Sequence, residues 1–159
     1  MTKRTAITVS ALLGSFVVLL FAFLMFRCSN TIYTKEHSKQ ITTLANAKRL
    51  SGALVQYAVD NGGRLPPDLR TPKSGMAALA NYLSPSSFES YNPNGGALLF
   101  NGRASGASIA KFARPEQVIA VYESRAWPDG RRAVGYLDGH VKLVSDFDDK
   151  LLALPAGQD

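Results

Sequence analysis

Apolar positions are concentrated at one end of this chain. Between Thr5 and Phe26 there is no charged side chain, and the run from Ala6 to Phe26 is interrupted only by Thr8, Ser10, Gly14 and Ser15. As a helix rising 1.5 Å per residue, a run of this length covers about 30 Å, the thickness of a hydrocarbon core. Lys3 and Arg4 precede it and Arg27 closes it, and charged flanks stop such a helix from sliding through a bilayer. A cleaved secretory signal has a shorter apolar stretch followed by small residues. Here Met25 and Arg27 stand where small residues would be wanted, so residues 1–27 are expected to be a retained single-pass anchor. Lys3, Arg4 and the α-amine favour a cytoplasmic N-terminus, which puts the rest of the chain on the periplasmic or extracellular side.

Beyond Ser29-Asn30-Thr31 the pattern changes period. Ile41, Leu44, Ala47, Leu50, Leu54, Tyr57 and Ala58 recur at spacings of three and four, which places them along one helical face. Lys39, Gln40, Asn46, Lys48, Arg49 and Gln56 point in other directions. Asn61-Gly62-Gly63 ends the pattern and Pro66-Pro67 prevents its resumption. Residues 28–62 are therefore predicted to be an amphipathic stalk, joined to the anchor as a nearly continuous helix of about 55 residues. Its stripe has to be buried against its own domain or against neighbouring copies.

From residue 63 to 152 the signals are those of a small α+β head. A short helix is predicted from Ser74 to Leu83, carrying Met76, Leu79, Tyr82 and Leu83 and stopped by Ser84-Pro85. Ala97–Phe100, Gln117–Tyr122, Arg132–Leu137 and His140–Val144 read as strands, the last two separated by Asp138-Gly139, a hairpin turn signal. The expected fold is a long N-terminal helix, transmembrane and then amphipathic, packed on a small antiparallel C-terminal sheet, with a frayed tail over 153–159.

Charge alters this picture little. The formal net charge is +6 and the pI about 9.6, but the basic residues are scattered without a Lys/Arg block or aromatic interleaving, so no nucleic-acid partner is expected. One cysteine, Cys28, excludes an internal disulfide, and the arginine before it argues against a lipid-attachment site.

Candidate chemistry is sparse. Asp138 and His140, two apart, share a strand face and have the residue types of an acid–base pair, but Asp138-Gly139 reads first as a turn in which the aspartate caps backbone N–H groups. The structural turn Asp138, Gly139, His140 is thus the expected role. His37, the other histidine, lies in the polar stretch outside the membrane, so no zinc site is expected. Asp146, Asp148 and Asp149 form an oxygen-rich cluster of the kind that holds calcium, but without the glycine and terminal glutamate of an EF-hand loop. The expectation is a solvated acidic turn and no cofactor. Trp127 and Tyr122 are expected to pack on the sheet or its rim.

Three stretches resemble the bacterial type IV pilin-like proteins, including the pseudopilins of type II secretion. They are the membrane helix running into an amphipathic one, the helix ending Tyr57-Ala58-Val59-Asp60-Asn61-Gly62-Gly63-Arg64-Leu65-Pro66-Pro67, and the segment Tyr136-Leu137-Asp138-Gly139-His140-Val141-Lys142. The last is similar to the Asp-Gly-His-Val ending of a pilin-like group from planctomycete-type bacteria, which Ser90-Tyr91-Asn92 and the stretch from Arg114 to Glu123 also fit loosely. Two positions depart from the family pattern. Lys3–Ser10 has neither the processing glycine nor the glutamate that follows it, and Pro128 stands where the planctomycete-type group carries a histidine. The resemblance implies a subunit of the bacterial inner membrane, partnered by the bilayer and by pilin-like subunits, that acts by self- or partner assembly in a filament or secretion machine rather than by catalysis. Ile41 to Ala58 would then be the interaction face. The alternative is a non-polymerising, membrane-tethered domain with ligand-binding or hydrolytic activity, built on Asp138, His140, Glu123 and the late aspartates.

Overall fold

The computed structural model describes residues 3–154, with the side chains of 18–25, 27 and 35–154. The chain divides into two compact units, Met1–Ser38 and Lys39–Asp159. Helix α1, Lys3–Asp60, contributes to both. In the first unit Val18, Leu19, Leu20, Phe21, Phe23, Leu24 and Met25 are all exposed, and the Arg27 guanidinium lies 5.5 Å from the centre of the Phe23 ring. Among the described residues no helix is long and apolar enough to cross a membrane. The anchor expected over 1–27 falls mostly on residues 1–17 and 26, whose side chains lie outside that set, and Pro155–Asp159 of the expected tail lies outside it as well.

The second unit is α+β, a helix packed on a small antiparallel sheet. It begins at Lys39 and so takes in the C-terminal part of α1. Helix α1 ends at Asp60, where Asn61 Nδ2 caps the Tyr57 carbonyl at 2.8 Å. Gly62 and Gly63 then take φ values of 65° and 80°, which a side chain would oppose. Helix α2, Pro72–Ala78, starts and ends earlier than predicted. Thr71 Oγ1 accepts the Ser74 N–H at 3.1 Å and Pro72 occupies the first turn, an arrangement that fixes the start. The chain turns away after Ala78, with Tyr82 N–H bonded to the Leu79 carbonyl.

Four strands follow: β1 Leu98–Phe100, β2 Ile119–Glu123, β3 Arg132–Tyr136 and β4 Val141–Val144. They form one antiparallel sheet in sequence order. Register pairs Tyr122 with Val134 and Val134 with Lys142 on one face, and Val121 with Gly135 and Gly135 with Val141 on the other. The second face meets α1. A Cβ on Gly135 would overlap Ser51 Oγ and lie 3.1 Å from the Ala47 carbonyl oxygen, so the helix and β3 approach as closely as backbones allow. Ala47, Leu50, Leu54 and Ala58 of α1 join Leu65, Leu69, Leu79, Leu98, Phe100, Val121 and Ala133 in one core. On the opposite face the C-terminal segment lies across the sheet, with Phe147 stacked on Tyr122 at 5.4 Å and Asn101 Nδ2 bonded to the Leu152 carbonyl at 3.0 Å.

Candidate functional site

The seven residues expected to form an interaction face divide in a telling way. Ala47, Leu50, Leu54 and Ala58 are buried in the core of their own unit, Leu44 and Tyr57 pack partly buried against it, and Ile41 is 54% exposed. The buried members of the stripe are therefore occupied within their own unit, one of the two covers the sequence allows. The sheet needed one face covered and the stripe supplies the cover. Ile41 points elsewhere because it lies about five turns from Val59 and so shares its direction, and Val59 is likewise exposed.

The buried arc of α1 also carries a polar seam. Gln40, Thr43 and Asn46, spaced by three, are 4%, 0% and 2% exposed. Gln40 Nε2 donates to Asp129 Oδ2 at 3.0 Å, and Arg131 reaches both Asp129 and the Gln40 side-chain carbonyl. Thr43 Oγ1 accepts the Tyr91 N–H at 3.0 Å. Asn46 Nδ2 donates to the carbonyls of Ser86 and Glu89. The loops 84–97 and 124–131 are thus tied to α1 and to each other, for Asn92 Nδ2 and Asn94 Nδ2 donate to the carbonyls of Arg125 and Ala126. The Arg131 guanidinium bonded to Asp129 holds that carboxyl at about 2, against partial burial that pushes the other way.

Glu123 is the centre of this stitching. Its side chain is fully buried at the end of β2. Ser90 Oγ donates to Oε1 at 2.6 Å, while Trp127 Nε1 at 2.6 Å and the Ala133 N–H at 3.2 Å donate to Oε2. Three donors on one carboxylate satisfy a group that would otherwise be costly to bury. Trp127 lies buried beside it.

Asp138, Gly139 and His140 form the β3–β4 turn. Gly139 has φ 86°, Asp138 Oδ1 accepts the His140 N–H at 3.0 Å, and the same oxygen pairs with His140 Nδ1. The His140 ring stacks on Tyr136, with centroids 4.1 Å apart. Partial burial raises the Asp138 carboxyl, but the hydrogen bonds from His140 outweigh it and leave the group below its usual value. Asp138 and His140 are spent on one another in a half-exposed turn, whereas Glu123 is enclosed by its own donors. Glu123 shares no hydrogen bond with either of them.

The late aspartates are exposed. Asp148 caps the turn 149–152 through the Lys150 N–H, and Asp146 takes a positive φ of 54°. Among the described residues no three His, Cys, Asp or Glu side chains gather as a metal would require. A cleft of about 310 Å³ opens between Tyr57, Asn61, Arg64, Leu65, Pro67 and Gly106, and no residue of the candidate chemistry is among those lining residues.

The sequence did not reveal the seam, and it offered Glu123 only as a group of the ligand-binding or hydrolytic alternative. The spacing of three between Gln40, Thr43 and Asn46 was a legible signal, but polar residues at helical spacing read first as a solvated face. No family model, no curated protein and no solved structure matches this chain.

Proposed function

We propose that this protein is a membrane-anchored, pilin-like subunit of a bacterial envelope assembly, held in the inner membrane by residues 1–27 with its α+β unit on the periplasmic or extracellular side, and that it acts by association with like subunits. The observation that carries the reading is the use of α1. One helix supplies seven consecutive exposed large apolar positions from Val18 to Met25, Ala22 apart, and then the central core element of an antiparallel sheet domain. Apolar exposure of that density costs heavily in water and is favourable in lipid. The polar side chains that a catalytic reading would call on serve as structural ties, which favours assembly over turnover as the role to test.

The test is fractionation and crosslinking of the full-length protein expressed in a bacterial membrane. A subunit of this kind stays with the membrane through high salt and alkaline washing, needs detergent for release, and gives a ladder of crosslinked multimers. A strictly monomeric protein at every crosslinker dose would count against assembly.

A further inference from the structure

The loops 61–75 and 101–114 are laced together by Leu65 N–H to Ala107 carbonyl, Gly106 N–H to Pro66 carbonyl and Ile109 N–H to Gly63 carbonyl, at 2.9, 2.8 and 2.8 Å. The two loops carry Arg64, Arg70, Lys73, Arg103, Lys111 and Arg114 against a single acid, Asp68, leaving +5. Asp68 is engaged by Arg70 at 3.1 Å. The other five cations are exposed and have no carboxylate partner among the described residues. The cleft beside Arg64, walled by Tyr57, Leu65 and Pro67, lies in this cap. An apolar notch in a basic rim fits an apolar side chain carried on an acidic segment.

The chain itself displays such a segment. Asp146, Asp148 and Asp149 are exposed, with Lys150 the one cation among them, and Leu151 is 46% exposed. The segment is held in shape by Phe147, stacked on Tyr122 and capped by the Arg132 guanidinium at 5.0 Å, and by the Asn101 bond to the Leu152 carbonyl. Within one molecule Asn101, at the edge of the cap, holds the Leu152 carbonyl, but no ion pair joins the acids to the cap: among the described residues the ion pairs are local, Asp68–Arg70, Asp129–Arg131, Asp138–His140 and Asp148–Lys150. We infer that the basic cap of one copy receives the acidic segment 146–151 of a second, with Leu151 entering the cleft beside Arg64 and the aspartates facing Arg64 and Lys111. Because donor and acceptor surfaces differ, the contact is heterologous and propagates from copy to copy. Rim charges of this kind steer encounter and make association sensitive to salt. The inference rests on the assembly reading above and specifies its surface.

The test is sedimentation of the full-length protein in density-matched detergent at low and high salt. Wild type is compared with R64E/K111E, D148R/D149R, the four changes combined, and L151S. Trp127 emission and the urea midpoint verify that each variant is folded. The expected result is association weakened at least tenfold by either double reversal, by L151S and by high salt, and restored to within about threefold of wild type in the quadruple variant. Wild-type association that neither double reversal disturbs overturns this interface and leaves the assembly reading standing. Failure of the folded quadruple variant to recover shows that the cap and the segment do not meet, and also overturns it. A wild-type protein that stays monomeric at every concentration and salt overturns both.

Discussion

Replacing Glu123 with alanine tests whether the stitched loops depend on one carboxylate. The substitution leaves the Trp127 Nε1–H and the Ala133 N–H without acceptors, and both residues are buried, at 3% and 0% exposure. Each orphaned buried donor costs about 1–3 kcal/mol. Ser90 is half-buried, so its hydroxyl regains water at smaller cost. Against this stands the relief of no longer burying a carboxylate, and breaking a buried charged network of this type nets a loss of about 3–5 kcal/mol. Glu123→Gln keeps an acceptor oxygen of the same shape but turns an NH2 toward a donor, and a loss of about 1–2 kcal/mol is expected. The assay is urea unfolding of the full-length protein in detergent, followed by the emission of Trp127, the single tryptophan, which sits directly on the substituted group. The midpoint falls in the order wild type, glutamine, alanine with an unchanged slope. An alanine variant within about 1 kcal/mol of wild type would refute the view that Glu123 organises these loops.

Gly135→Ala forces a methyl group against Ser51 and the Ala47 carbonyl, so it should cost about 1–3 kcal/mol by the same unfolding assay, and adding Ser51→Ala should recover part of the loss. Ser51→Ala alone should be neutral or slightly stabilising, since the buried Ser51 hydroxyl has no hydrogen-bond partner among the described residues; a marked loss would reveal one. The Asp129 carboxyl is lowered from 3.8 to about 2 by Arg131 first, so its contribution is complete above pH about 4 and disappears as pH falls toward 2. Because the side chain is 41% exposed, that contribution is at most about 1 kcal/mol, and Asp129→Asn should flatten the stability profile only in this window. An unaltered acid limb in the variant would contradict the assignment.

Much of the fold is legible in the sequence, and the limits have physical causes. The helix stop at Asn61-Gly62-Gly63 and the turn at Asp138-Gly139 are local events, settled by residues that tolerate positive φ, and both stand where the sequence placed them. The four strands show themselves through β-branched and apolar runs, with edges differing by a residue or two. The pattern marks the stripe as cover for the sheet, but not how closely the two meet. That depends on Gly135, whose missing side chain lets α1 settle on β3 and so uses up Ala47, Leu50 and Leu54 within the chain. The seam was hidden for a related reason. Apart from Arg49, which donates to the Asn46 side-chain carbonyl, the partners of Gln40, Thr43 and Asn46 lie 40 to 91 residues away, and nothing local marks those polar side chains as buried. Glu123 closes an apolar strand and reads from sequence as a candidate for chemistry, because its three donors come from residues that only the fold brings to it.

Detergent dependence of the intact chain tests the central claim most directly. Native membranes would be washed with alkaline carbonate, extracted with and without detergent, and the released protein identified by intact mass. An anchored subunit leaves the membrane only with detergent, and its mass includes the apolar stretch up to Phe26. Recovery of that same full-length species in the aqueous wash would contradict the account.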